Sequence, residues 1–294
     1  MNIVLIPNRD KPDAVAAAGE LQRLLRARAG EITATLLLDS PADRLAQLKP
    51  NLVVVLGGDG SILSIAQVMR GLDVPVVGIN FGKIGYLAAF SFEQFKQHLD
   101  TILSGQAPTT NRLMLCGEIY HRETPDGQIQ PLQQLLAQKP LFAALALNDV
   151  VINAGDPFRM IGLAVQIDEE ATTTFRSDGV VVATASGSTG YNLSAGGPLL
   201  SPQVNAMVLT PICPHSLSFR PVVIPDSSAV LIVPQHLNAG SKVNFDGQVT
   251  YPITEDQCLL VRRAARPLRL VENPSMSHWR MLATKLQWAQ SPRH

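Results

Sequence analysis

Leu52-Val53-Val54-Val55-Leu56-Gly57-Gly58-Asp59-Gly60-Ser61-Ile62-Leu63-Ser64-Ile65-Ala66-Gln67-Val68-Met69 joins two apolar segments through a glycine turn. The Val-rich run before the glycines reads as a buried parallel strand. The segment after Gly60 reads as a helix. A strand, a glycine turn and a helix N-terminus place backbone N–H groups where an anion can sit. A carboxylate, Asp59, occupies that spot. It would repel a phosphate unless a cation lies between them or a proton is there to be taken. The combination points to phosphoryl transfer. The loop is not a P-loop, because no lysine follows the glycines, and it is not G-x-G-x-x-G, because Leu63 follows Gly60 in place of the third glycine. A tight strand-to-helix turn with Asp59 or Ser61 as N-cap explains the same four residues without any chemistry.

Outward from this loop, the first third alternates strands and helices. Strands are expected at Ile3 to Ile6, Ile32 to Leu38, Leu52 to Leu56 and Val74 to Asn80, and helices at Ala14 to Arg28, Ser61 to Met69 and Ser91 to Leu103. Such alternation predicts a parallel sheet covered on both faces, with ligands bound beyond the carboxyl ends of its strands. Gly57–Gly60 and the stretch Ile79 to Leu87 lie at such ends. The domain is expected to close near Gly105 to Pro108.

Beyond it, short β-rich segments recur: Leu113 to Tyr120, Leu145 to Asn153, Ile161 to Ile167, Gly179 to Thr184, Ala206 to Pro211, Ala229 to Val233 and Lys242 to Phe245. Turn residues separate them, which predicts a β-sandwich or related sheet pair. Glu123 to Pro140 reads as a partly helical surface insertion. Met276 to Gln290 reads as a final helix, with Trp279, Met281, Leu282, Leu286 and Trp288 available for packing. The expected class is α/β plus all-β. A Rossmann-like domain spans residues 1–108, with 270–294 returning to it as a C-terminal helix, and a β-sandwich-like domain spans 109–269.

Bulk properties agree. The 294 residues suit one large or two ordinary domains, and 46% hydrophobic content supplies their cores. Zero formal charge gives no general basic field for nucleic acid. Cys116, Cys213 and Cys258 form no C-x-x-C pair, so reduced thiols are expected rather than a zinc site or disulfide framework. Met1 to Pro7 lacks a signal-peptide pattern, and no apolar run reaches the ~18 residues of a membrane span. A cytoplasmic protein with no membrane partner is expected.

A second constellation runs from Arg176 to Pro198. Ser186, Ser188, Thr189, Tyr191, Gly187 and Gly190 fall within a few positions after a buried strand. Small side chains let a planar ligand approach the backbone, hydroxyls read a base edge, and Tyr191 can stack on it. A Ser/Thr/Gly-rich connection with Tyr191 in the core fits the same residues. Asn148-Asp149 sets a polar pair inside an apolar run. A buried carboxylate needs partners, which the hydroxyls of a ribose would supply. A β-bulge or strand entry is the structural alternative.

Taken together, Gly57-Gly58-Asp59-Gly60, Gly78-Ile79-Asn80-Phe81-Gly82, Leu147-Asn148-Asp149, Asp178-Gly179 to Pro198, Pro214 to Pro221 and Asp246-Gly247-Gln248 resemble the bacterial NAD kinases. The resemblance runs from Gly57 to about Gly247. It implies phosphorylation of the 2′-hydroxyl of the adenosine ribose of NAD, giving NADP, with ATP as donor, polyphosphate as a further donor in some members, and Mg²⁺ as the metal. It implies that Asp59 is the catalytic carboxylate and that Gly57, Gly58 and Gly60 shape the phosphate turn. Asn148 and Asp149 would hold the adenosine half of NAD, and Ser186, Thr189 and Tyr191 would contact the adenine and adjoining groups. Asp178 would approach the nicotinamide riboside, Phe81 would line the pocket, and Arg176 and Ser194 complete the expected set. A homodimer or homotetramer built through the β-domain is implied as well.

The chain departs from the family pattern at Gly190 (commonly Ala), Ala185 (commonly Pro) and Asp149 (Glu in many members). Two rival readings remain open. A diacylglycerol or lipid kinase shares the glycine–aspartate loop, though the hydroxyl-rich stretch argues against an acyl-chain site. A non-catalytic NAD(H) sensor would bind the dinucleotide without turnover. His215 and Arg220 have the chemistry of phosphate contacts, but packing or a subunit interface explains them as well; turn geometry suffices for Asp246-Gly247-Gln248, and its place in the family's β-domain allows a ligand contact.

Overall fold

The computed structural model describes residues 1–28, 32–37, 44–82, 85–123, 130–170, 173–216 and 218–286. Leu38, Lys83, Ile84, Leu217 and Trp288, and residues 124–129 of the expected insertion, lie outside the described residues. The chain divides into two compact units, Met1–Asn111 with Leu268–His294, and Arg112–Pro267.

The first unit is built on a six-stranded sheet. Its order is Thr33–Leu36, Asn2–Pro7, Leu52–Gly57, Val76–Asn80, Leu268–Val271 and Thr109–Arg112. The first four strands are parallel to their neighbours. Every residue of Leu52–Gly57 is buried, as expected of a strand covered on both faces. Leu52, Val54 and Leu56 join a core with Ala14, Ala17, Ala18, Leu21 and Leu25 of the helix Pro12–Ala27. Those helical positions follow the three-to-four spacing of one helix face. Ile62 of the helix Asp59–Val68 reaches the space left by the missing side chain of Gly78.

Two features of this unit differ from expectation. Ser91 to Leu103 is not one helix but two, Phe92–Gln97 and Leu99–Leu103, meeting at His98. The first is fixed at its start by a reciprocal pair: Gln94 N–H donates to Ser91 Oγ at 3.2 Å, and Ser91 N–H to Gln94 Oε1 at 3.0 Å. The returning segment begins with a strand. Leu268–Val271 enters the sheet parallel to Val76–Asn80, ahead of the helix His278–Leu286. A four-residue strand containing an arginine carries too little periodicity to be read from sequence.

The second unit contains two six-stranded antiparallel sheets. One runs Thr173–Ser177, Ile161–Ile167, Val230–His236, Gln257–Arg263, Leu115–His121, Phe142–Ala146. The other runs Val222–Pro225, Ala206–Ile212, Gly179–Thr184, Asp149–Asn153, Lys242–Phe245, Val249–Pro252. Alternate residues of both sheets meet in one core: Ile161, Leu163, Val165, Val230, Ile232, Leu259 and Val261 from the first, and Val150, Ile152, Val180, Val182, Val243 and Phe245 from the second. This is the inward alternation of a sandwich. Outer faces are partly covered too. Leu135, on the helix Leu132–Ala137 of the insertion, packs fully buried with Tyr120, Leu231 and Leu260. Val181 and Ala183 pack with Val151 on the opposite side, so this strand reads as unbroken apolar sequence.

Leu145 to Asn153 is two strands, not one. Phe142–Ala146 belongs to the first sheet and Asp149–Asn153 to the second. Leu147-Asn148 is the crossover between them, and Asp149 opens the second strand.

Candidate functional site

In the first unit the glycine turn lies at the end of Leu52–Gly57. Gly58 is the N-cap of the following helix and Asp59 its first residue, so neither Asp59 nor Ser61 is the cap. Gly58 N–H donates to Ser61 Oγ at 3.4 Å. A β-carbon on Gly60 would meet nothing, which leaves that side of the turn open.

Asp59 is held by three successive amides. Tyr86 N–H donates to Oδ2 at 2.8 Å, and Leu87 and Ala88 N–H donate to Oδ1 at 3.0 and 2.9 Å. A carboxylate offers about four lone-pair positions. Among the described residues three are filled, which leaves one position, on Oδ2. Gly85 precedes the three donors and lies against the same carboxylate. Tyr86 has its hydroxyl pushed to a higher pKa by burial, with a smaller contribution from the Asp59 charge.

Phe81 packs against the core of this unit, 6.1 Å from the Phe92 ring, and its N–H donates to the Gly57 carbonyl at 3.0 Å. The Phe81 carbonyl accepts from Lys11 Nζ at 3.3 Å. That ammonium stands 3.8 Å from the position of a β-carbon on Gly58. A cation therefore accompanies the glycine turn. The sequence reading passed over it, although a signal exists: Lys11 follows the strand Asn2–Pro7, which lies beside Leu52–Gly57 in the sheet, so the two loops emerge together.

In the second unit a cavity of about 360 Å³ is lined by Asn148, Asp149, Asn153, Tyr191, Asn244 and Asp246 among others. Three expected residues, Asn148, Asp149 and Tyr191, are thus brought together. Tyr191 is 40% exposed, so it is not a core aromatic. Ser186 and Thr189 lie in the adjoining turn, where Thr189 Oγ1 donates to the Ser186 carbonyl at 3.3 Å. Gly187 rests on Asn148, and a β-carbon there would overlap the Asn148 backbone. The hydroxyl-rich turn is therefore seated on the polar pair. Asp178 occupies the passage from the strand Thr173–Ser177 of one sheet to Gly179–Thr184 of the other. Arg176, on the edge strand, and Ser194, ending the helical turn Tyr191–Ser194, are exposed. His215 and Arg220 are exposed as well.

Backbone support for Asn148-Asp149 comes from two directions. Thr184 N–H donates to the Asn148 carbonyl at 2.8 Å, and Thr184 Oγ1 to the Leu147 carbonyl at 2.7 Å. Asp246 accepts from the amides of Leu147 (2.7 Å), Asn148 (2.7 Å) and Asp149 (3.0 Å). Burial pushes the Asp149 carboxyl up to about 7, with a further contribution from the Asp246 charge. Burial also raises Asp246, to about 6, against the pull of its three amide donors. The Asp-Gly turn signal conceals a carboxylate that is only 8% exposed.

Among the described residues no group of three His, Cys, Asp or Glu side chains could hold a metal ion. None of their helices is long and apolar enough to cross a membrane.

Residues 40–107 match the ATP-NAD kinase N-terminal domain and residues 147–273 the ATP-NAD kinase C-terminal domain. An NAD kinase of Syntrophotalea carbinolica is 34% identical over 287 residues, covering 95% of each chain. One from Nitrosospira multiformis is 35% identical, covering 99% of this chain and 97% of its own. In fold, the chain resembles yeast NADH kinase solved with NADH, at TM-score 0.86 and 24% identity, covering 100% of this chain and 89% of that one. It also resembles an Archaeoglobus fulgidus NAD kinase solved with ATP, at TM-score 0.71 and 25% identity, covering 94% and 95%. Two consecutive domain matches and near-complete relatives agree with the acid-bearing glycine turn and the Asn-Asp crossover: this chain belongs to the NAD kinase family.

Proposed function

We propose that this chain transfers the γ-phosphate of ATP to the 2′-hydroxyl of the adenosine ribose of NAD, with Asp59 receiving that hydroxyl. The observation that carries this reading is the seating of Asp59. Three amides hold its carboxylate, and the remaining lone pair on Oδ2 is available to one incoming hydroxyl. Phosphoryl transfer depends mainly on alignment and charge neutralisation. A carboxylate fixed in this way orients the nucleophile and accepts its hydrogen bond. Lys11 supplies positive charge at the glycine turn for the donor phosphates.

Asn148, Asp149 and Tyr191 recognise the nucleoside in this reading, with Ser186 and Thr189 in the turn beside them. Burial raises the Asp149 carboxyl to about 7, so at neutral pH it exchanges between a protonated form that donates and an ionised form that accepts. Ser194, Arg176, Asp178 and Phe81 complete the contact set implied by the family resemblance.

The described residues offer no metal cage. Mg²⁺ bound through substrate phosphates and water needs no such cage. Held by the ATP phosphates, Mg²⁺ would supply neutralisation of phosphate charge. The resemblance further supports polyphosphate as a second donor, a homodimer or homotetramer, and a cytoplasmic location.

The test is direct. Purified protein is incubated with Mg²⁺, ATP and NAD, and NADP is measured with a dehydrogenase that requires it. ATP-dependent NADP formation is expected. NAD binding without NADP formation would leave a sensor, and transfer to diacylglycerol instead of NAD would identify a lipid kinase.

A further inference from the structure

We propose that Asp246 is a positioning residue for NAD recognition, acting through the backbone of Leu147, Asn148 and Asp149. The inference rests on the reading that Asn148 and Asp149 hold NAD.

Leu147-Asn148 is where the chain leaves one sheet and enters the other, so its amides have no ladder partner. Unpaired buried amides are costly, and something must satisfy them. Asp246 does so for three in succession. Its own N–H donates to the Asp149 carbonyl at 3.0 Å, which ties the two turns together. The carboxylate is aimed this way by the tight turn between Lys242–Phe245 and Val249–Pro252. Asp246 and Gly247 there take positive φ, 54° and 63°, and Gln248 N–H donates to the Phe245 carbonyl at 2.9 Å, which closes the turn.

The choice of an acid is informative. Asp246 is buried beside a second buried acid, Asp149, and each carboxyl is raised above its usual range. An asparagine would hold two of the three amides through its single oxygen without that electrostatic cost. The third bond, from Leu147 to Oδ2, needs the second carboxylate oxygen. It is the bond that pins the start of the crossover. Thr184 grips the carbonyls of the same residues from the other side. Asn148 is consequently fixed at both its N–H and its C=O, which leaves its side chain to the cavity ligand. The Gly187 turn rests on this backbone, so its hydroxyls take their place from the same anchor.

Steady-state kinetics of the full chain, with NAD and ATP varied separately, test this. Asp246→Ala is expected to raise the KM for NAD at least tenfold and to leave the KM for ATP within about twofold. Asp246→Asn, which keeps the oxygen facing Asn148 and Asp149, is expected to fall between wild type and Asp246→Ala. Should Asp246→Ala not fold, Asp246→Asn carries the test alone, with a rise of about threefold or more in the KM for NAD expected. An unchanged KM for NAD in a folded variant overturns the proposal, and so does an equal rise in both KM values. Asn148→Ala is measured alongside. If it raises the KM for NAD while the Asp246 variants do not, the positioning role fails and the site reading stands. If Asn148→Ala itself leaves the KM for NAD unchanged, the site reading fails, and this inference with it.

Discussion

Gly85 leaves room for the Asp59 carboxylate and for nothing more. A β-carbon at residue 85 would overlap both Asp59 oxygens well inside van der Waals distance. The contact joins a helix start to a loop 26 positions further along the chain, so the acid at the glycine turn is fixed by tertiary packing.

Gly85→Ala is therefore expected to displace Asp59 from its three amides. Turnover should drop at least 100-fold while the folded state persists, as read by the NADP-coupled assay and circular dichroism. Near wild-type turnover would show that the seat of Asp59 is irrelevant to catalysis.

Asp59→Asn turns an NH₂ group toward one of the donating amides and removes the acceptor proposed for the ribose hydroxyl. The expected result is near-complete loss of kcat with NAD affinity largely retained. The substitution also leaves a backbone N–H unsatisfied, at a cost of about 1–3 kcal/mol. Titration calorimetry with NAD, together with turnover, separates the two effects.

Lys11→Met keeps the aliphatic stem and deletes the charge beside Gly58. We expect the KM for ATP to rise about tenfold and the KM for NAD to stay within twofold. Lys11→Arg should recover part of the loss, because charge rather than shape is at issue. A uniform fall in stability without a change in the KM for ATP would make Lys11 a structural group.

Asp149 and Asp246 both have raised carboxyl pKa values, to about 7 and about 6. At these two positions the folded state therefore binds more protons than the unfolded one between about pH 4 and pH 7. The stability these groups contribute is full below pH ~4 and disappears as pH rises through the folded-state values. Asp149→Asn removes the higher of the two titrations. Its melting temperature should rise relative to wild type as pH goes from 4 to 7.5, and the difference should level off above pH ~8. A pH-independent difference would contradict the assignment.

Thr184 is fully buried, and its hydroxyl donates to Leu147 C=O and accepts from Gly187 N–H at 3.0 Å. Thr184→Val replaces it by a methyl of similar size. The variant should unfold more easily by about 1–3 kcal/mol in urea titration, since two buried polar groups lose a partner.

Much of this was legible along the chain. Leu52 to Ala66 announces a buried strand, a turn and a helix because every position is set by near neighbours. The alternation of the first third and the short strands of the second follow from period and turn chemistry. Where sequence reading failed, the reason is spatial. Leu268–Val271 is a strand because a sheet built much earlier in the chain receives it. Leu145 to Asn153 looked continuous because a change of sheet leaves no mark on hydropathy.

The candidate site divides along the same line. Sequence alone singled out the candidate groups: an acid among glycines, an Asn-Asp pair, a hydroxyl-rich turn before Tyr191. These are residue types in local patterns, and local pattern is what a sequence displays. The fold alone decided that Asp59 is held by the amides of residues 86–88, that Lys11 stands at Gly58, and that Asp246 holds the crossover at Leu147. Each is a contact between segments far apart in the chain. Hydrogen bonds and close approaches of that kind come into being only when buried strands and sheets bring the segments together.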